Sequence, residues 1–183
     1  MSLNNWFDKG LEPEEYMSHL DKHKDGFNQI YNNFQLPADE DFFNTVKEKN
    51  LRVVALAEVW CGHCMLDIPV LLHMCDKMEM PVKFLPRDEN LELMDQYLTN
   101  GNRVIPIFIF INEAGEEVGK WGPMADQVRE FVSQYREKLP PKDSPEYDEK
   151  FQAMIKITGK AFLEDESLWN AVYESIKETL AAI

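Results

Sequence analysis

Two cysteines separated by two residues, Cys61 and Cys64 in the run Cys61-Gly62-His63-Cys64, are the side chains of this sequence best spaced for chemistry. A thiolate is a nucleophile and a metal ligand, and two thiols one helical turn apart can close into a disulfide. With Cys75 the chain holds 3 cysteines in 183 residues, an odd and sparse count. Small secreted domains stapled by disulfides carry a dense, even set, so the close pair asks for a reading as reactive thiols.

The neighbouring residues say how such a pair would be held. Leu51 to Ala57 is a short run of β-branched and apolar residues, read as a strand buried on both faces. Met65, Leu66, Ile68, Val70, Leu71, Leu72, Met74 and Cys75 then make a largely buried helix, interrupted by Pro69, which is expected to kink it. The turn between them puts Cys61 at the helix N-terminus, where free N–H groups and the helix dipole favour thiolate over thiol. Cys61 is therefore the expected nucleophile. Cys64, set deeper, is the expected resolving thiol that attacks a mixed disulfide formed at Cys61. Trp60, just before the pair, is placed to form a flat apolar surface that receives substrate.

Metal binding explains the pair less well. Zinc takes four ligands, and the remaining nearby candidates are His73 and Cys75. Eleven helical residues at about 1.5 Å each put Cys75 about 16 Å along the axis from Cys64, too far for one site. An iron–sulfur cluster shared by two chains is geometrically possible, but nothing else in the sequence asks for it. No metal and no cofactor is expected. Cys75 reads as a small buried hydrophobe, and His19, His23 and His73 as solvated or core-satisfied.

Around this centre the sequence predicts alternating elements. A helix beginning near Pro13 carries Tyr16, Met17 and Leu20 and stops at Gly26; a second carries Phe27, Ile30, Tyr31 and Phe34. Residues 39–50 form a third helix, acidic at its start and basic at its end. Val82 to Pro86 is a strand, Leu91 to Leu98 a short helix, and Pro106 to Ile111 the clearest strand of the chain. Asn112 to Gly115 turns it into an antiparallel partner over Glu116 to Trp121. Ala125 to Leu139 is helical, Pro140 to Pro145 is a linker with three prolines in six residues, and two amphipathic helices follow at about 146–157 and 167–181.

Composition narrows the function. Hydrophobic residues make up 44% and charged residues 28% of the chain, which is ordinary for a globular protein. The net charge of −14 is spread along the whole length. A field of that sign repels phosphate backbones and anionic lipid heads, and no dense Lys/Arg cluster offsets it, so neither nucleic acid nor membrane is expected as a partner. The longest apolar run, Val104 to Ile111, falls far short of the roughly 20 residues of a membrane-spanning helix. The N-terminus lacks the basic and apolar regions of a secretory signal, and the chain reads as cytoplasmic.

Trp60-Cys61-Gly62-His63-Cys64, followed by Pro69 five residues after the second cysteine, resembles the thioredoxin superfamily, and the Gly62-His63 pair is the one typical of protein disulfide isomerase domains. Pro106, 45 residues after Cys61 at the start of a strand, matches the position of the family's cis-proline. The resemblance implies a cis Ile105-Pro106 bond and backbone groups at Ile105 and Pro106 that receive an extended substrate strand. It covers about residues 38–139, leaving 1–37 and 140–183 as N- and C-terminal helical extensions. The implied fold is α/β, a thioredoxin-like three-layer α/β/α arrangement on a mixed central sheet.

One departure stands out. The family keeps a buried carboxylate six residues before the first cysteine to move the resolving thiol's proton; here that residue is Ala55. Glu58 is the nearest acid in sequence and a candidate substitute, acting on Cys64 through a water, although residues three apart on a strand face opposite sides. Gly62 and His63 are expected to tune the couple, a protonated His63 favouring the Cys61 thiolate. One pKa unit is worth about 1.4 kcal/mol, or roughly 30 mV for a two-electron couple, against roughly 90 mV between a thioredoxin-like and an isomerase-like potential, so His63 alone does not set the direction.

The sequence thus points to a thiol–disulfide oxidoreductase that reduces disulfides of proteins or peptides and is recycled by a reductase or a low-molecular-weight thiol. The alternative is a redox-switched adaptor or sensor with little turnover.

Overall fold

The computed structural model describes residues 2–183. Its centre is a mixed four-stranded sheet in the order β2-β1-β3-β4, made of β1 (Arg52–Ala57), β2 (Val82–Pro86), β3 (Ile107–Ile111) and β4 (Glu117–Trp121). β1 runs parallel to β2 and antiparallel to β3, and β3 runs antiparallel to β4. The two middle strands are the most apolar: all five residues of β3, and β1 from Val53 onward, are buried. Such strands, covered on both faces, read as continuous apolar runs, which is how the sequence marks them.

Nine α-helices surround this sheet among the described residues: α1 (Leu3–Lys9), α2 (Pro13–Ser18), α3 (Lys24–Asn33), α4 (Glu40–Lys47), α5 (Gly62–Lys77), α6 (Leu91–Met94), α7 (Asp126–Arg136), α8 (Tyr147–Glu164) and α9 (Glu166–Ala181). α5 links the parallel pair β1 and β2 and is continuous through Pro69. Its apolar residues point in all directions because α3, α8 and α9 all pack against it.

The N-terminal segment departs from the expected helices. α1, capped by the Ser2 side chain on the Asn5 N–H, precedes Pro13 and buries Trp6 and Phe7. The helix starting at Pro13 ends at Ser18, and α3 begins at Lys24, before Gly26. This break lets the two halves face different partners: Tyr16 stacks on Phe84 of β2 at 4.4 Å, while α3 lies along α5. Gly26 is not a stop. It sits inside α3 where a Cβ would come within 2.5 Å of Met65 Sδ, so its missing side chain permits the close approach of α3 to α5. Between α1 and α2, Leu11 pairs with Phe84, adding a short antiparallel bridge outside β2.

At the other end α8 runs to Glu164 rather than to about residue 157, because Met154, Thr158 and Phe162 continue one buried face at helical spacing. α9 buries Leu168, Trp169, Val172, Tyr173, Ile176 and Leu180 and packs on α4, α5, α7, α8 and β4. Trp121 Nε1–H donates to Ser175 Oγ at 2.8 Å, tying α9 to β4. Both terminal segments therefore contribute to the same apolar core as the sheet.

Candidate functional site

β1 delivers the chain to the site. After Ala57 the backbone turns through Glu58, Val59 and Trp60, closed by the Cys61 N–H donating to the Glu58 carbonyl at 3.2 Å, and α5 starts at Gly62. Cys61 is its N-cap: the backbone is extended and the Cys64 N–H points at Cys61 Sγ, 3.4 Å away. A sulfur thus takes the place of the usual capping oxygen, where the unsatisfied N–H groups of the first turn gather.

The two thiols differ strongly. Cys61 is held below the ordinary thiol range, first by the S–H of Cys64 donating to it, then by the N–H groups of Cys64 and His63 and the positive charge of Arg87, all working against the cost of burial. Cys64 is pushed well up by burial and then by the hydrogen bond to Cys61 and the charge on it. Donor and acceptor are therefore fixed within the pair, with the anion at the outer sulfur. All three cysteines are free thiols, and burial drives the Cys75 thiol upward.

Across from the pair lies the segment before β3. The Ile105-Pro106 peptide is cis, as is Gly122-Pro123, which nothing in the sequence marked. The Ile105 carbonyl faces Cys61 Sγ at 3.9 Å. Gly122, with φ +121°, lies so close that a Cβ would stand 2.3 Å from the Pro106 carbonyl oxygen. Only glycine fits there.

Cys61 is 8% exposed, so access is confined to a narrow mouth. Trp60, 45% exposed, forms one side, and a Cβ built on Gly62 would meet nothing within 4 Å. The Arg87 guanidinium sits 4.9 Å over the Trp60 ring and donates to the Arg103 carbonyl at 3.1 Å, bridging the two sides of the mouth. His23 Nε2 donates to the Trp60 carbonyl at 3.0 Å, so a residue of the N-terminal segment fixes the turn.

His63 is corrected by the structure. Its ring lies against Phe162 of α8, Nδ1 is enclosed with no hydrogen-bond partner among the described residues, and Arg136 of α7 repels a proton. Burial is the main cause that pushes it down to about 4. At neutral pH the imidazole is uncharged, and the positive neighbour of Cys61 is Arg87, a residue the sequence did not single out.

Glu58 is buried, and its Oε1 accepts the Asp88 N–H at 2.8 Å, turning the carboxyl toward the segment after β2. Burial raises its pKa. The acid that sequence reasoning missed is Asp67, fully buried on α5 one turn beyond Cys64. Its signal was present: it is the single charge among Met65 to Leu72, a stretch apolar on every face.

Among the described residues no group of three or more His, Cys, Asp or Glu side chains is placed to hold a metal. A cavity of about 450 Å³ opens elsewhere, lined by Glu12, Met17, Tyr31, Leu72, Cys75 and Met80, and none of the residues around Cys61 lines it.

A family model described as Thioredoxin matches residues 10–136, which takes in part of the N-terminal segment. The fold is similar over almost its whole length to a protein of unknown function from Pseudomonas aeruginosa, at 16% identity and TM-score 0.65, covering 97% of this chain and 98% of that one. It is similar also to an HIV epitope-scaffold, at 16% identity and TM-score 0.68, covering 100% of this chain and 97% of that one. A thioredoxin of Fasciola hepatica matches at 27% identity over 52% of this chain and 88% of its own, with TM-score 0.35. No curated protein gave a sequence match.

Proposed function

The chain belongs to the thioredoxin family, and from that premise we propose that it is a thiol–disulfide oxidoreductase whose substrates are disulfides of proteins or peptides. The observation that carries this is the asymmetry of the dithiol: an outer sulfur held as the N-cap of α5 with its pKa lowered, and an inner one buried and protonated.

The reaction is two exchanges. The Cys61 thiolate attacks one sulfur of the substrate disulfide, forming a mixed disulfide and releasing a thiolate. Cys64 loses its proton and attacks Cys61 Sγ, which releases the second substrate thiol and leaves the Cys61–Cys64 disulfide. The substrate is reduced by two electrons and the enzyme oxidised by two; a reductase or a low-molecular-weight thiol restores the dithiol. Trp60 and the Ile105-Pro106 backbone flank Cys61 and are the groups assigned to substrate binding. Among the described residues no helix is long and apolar enough to cross a membrane, and net reduction is the expected direction in a reducing compartment.

Insulin reduction with dithiothreitol as the electron source tests the proposal. Rapid turnover abolished by Cys61→Ser is expected, together with trapped mixed disulfides in Cys64→Ser. The narrow mouth over Cys61 favours a second reading, a redox-switched adaptor; failure of the wild type to turn over insulin while still capturing a partner protein would establish that reading instead.

A further inference from the structure

We propose that Asp67 is the proton carrier for Cys64, taking the S–H proton as Cys64 attacks the mixed disulfide and returning it when the disulfide is opened. This rests on the oxidoreductase function just proposed.

Asp67 follows Cys64 by three residues on α5, so the two side chains leave the helix on neighbouring sides, one turn apart. Asp67 has no exposed surface and Cys64 almost none. Neither carboxyl oxygen of Asp67 has a hydrogen-bond partner among the described residues. An ionised carboxylate cannot stay buried without donors or a cation, so the group rests protonated. A polar side chain left unsatisfied in the middle of a core is a standing cost, and one beside a reactive pair calls for an explanation in that chemistry.

The surrounding charges fit this assignment. The negative charge of Cys61 adds to burial in holding the proton on Asp67, and Asp67, once ionised, raises Cys64 in turn. Tyr16 of α2 also senses both thiols and Glu58, but burial locks its proton in place. Glu58 is engaged by the Asp88 N–H. On β1, Ala55 offers only a buried methyl group.

The proton balance closes. In the reactive form Cys61 is a thiolate, and Cys64 and Asp67 each hold a proton. Attack by Cys61 consumes its charge in the new S–S bond and releases one substrate thiolate to solvent; with the Cys61 charge gone, Asp67 gives up its proton, which solvent passes to that thiolate. The carboxylate so formed accepts the Cys64 proton as Cys64 displaces the second thiolate. The cycle ends with a disulfide, Asp67 protonated again, one substrate thiol and one thiolate, so net charge and proton count are unchanged.

The test compares Asp67→Asn with wild type in stopped-flow reactions with oxidised glutathione, following formation and resolution of the mixed disulfide from pH 5.5 to 9. The expected result is first attack within about twofold of wild type, resolution slowed at least tenfold near pH 7, and a resolution rate in the variant that rises with pH as Cys64 ionises unaided. Asp67→Leu checks folding: removing an unsatisfied carboxyl should leave the melting temperature equal or higher while resolution is slowed alike. Carboxyl infrared bands of the reduced wild type should show one acid protonated at pH 7 that is missing from Asp67→Asn. Unchanged resolution and pH profile in a variant that folds, with wild type turning over, would overturn the proton-carrier role alone. Wild type that forms no mixed disulfide would overturn the oxidoreductase function and this role with it.

Discussion

The imidazole of His63 lies 5.2 Å from the ring of Phe162, centroid to centroid, so a residue of the cysteine turn is roofed by a helix nearly one hundred residues further along the chain. The C-terminal segment thereby acts on the chemistry of a site to which it contributes no reacting atom. A His63 left in water would be partly charged near neutrality; covered by α8 and repelled by Arg136, it is neutral.

That burial has a pH signature. The folded pKa of about 4 lies below the ordinary 6.5, so the unfolded chain binds more protons between those values and stability falls as pH drops through that window. The ring is only half-buried, so after solvent screening the loss is on the order of 1–2 kcal/mol. Urea melts at pH 7 and pH 4.5 should show wild type losing that much more than His63→Gln. Equal losses would mean that the ring titrates normally. Proton NMR should also show the His63 titration in Phe162→Ala moving back toward the ordinary range.

Arg87 supplies the cation that His63 does not. Its charge lowers the Cys61 pKa, as the last of several causes, so Arg87→Met should raise the pH midpoint of Cys61 alkylation by iodoacetamide and slow alkylation at pH 6.5 a few-fold. Cys64 and Cys75, both buried, should stay unmodified until the protein unfolds. An unmoved midpoint would leave the hydrogen bonds from Cys64 and the helix N-terminus as the whole cause of the thiolate.

The C-terminal helices should behave as core rather than as an appendage. Trp169 is buried, and its Nε1–H donates to the Phe162 carbonyl at 2.7 Å across the α8–α9 junction. Trp169→Ala is expected to cost about 3–5 kcal/mol, the usual loss for a large buried aromatic. It should lower the urea midpoint of the single transition that also reports the sheet. A loss under about 1 kcal/mol, or a separate early transition, would show that α8 and α9 fold independently.

The contrast between what could and could not be read beforehand follows from the range of the interactions. β1, β3 and the start of α5 are written in local patterns, a β-branched run, an apolar run and a capped turn, and they put Cys61 and Cys64 where the sequence placed them. The break between the first two predicted helices falls after Ser18 rather than at Gly26, because its place is dictated by two distant partners, Phe84 and Met65. His63 was misjudged for the same reason, since its roof is α8. Asp67 differs: a lone charge inside a helix apolar all round must be buried, and that pattern was local and readable.

The segment facing Cys61 depends on Gly122 for its position. With φ at +121°, an alanine would be strained by its own backbone, and its Cβ would stand 2.3 Å from the Pro106 oxygen and 3.3 Å from Ile107 Cα, backbone atoms that cannot rotate away. Gly122→Ala should therefore cost on the order of 2–4 kcal/mol. Gly119 on the same hairpin is a fair control, because the close contacts of a Cβ there are with the side-chain end of Ile183, with Phe110 at ordinary van der Waals distance, so Gly119→Ala should cost less than about 1 kcal/mol. The Pro106 carbonyl lies next to the Ile105 carbonyl that faces Cys61. Displacing this segment should slow reduction of a peptide disulfide, which needs backbone contacts, more than that of a small aromatic disulfide, which needs only the thiolate. Equal slowing of both in Gly122→Ala, measured below its unfolding transition, would mean that the Ile105-Pro106 backbone takes no part in holding substrate.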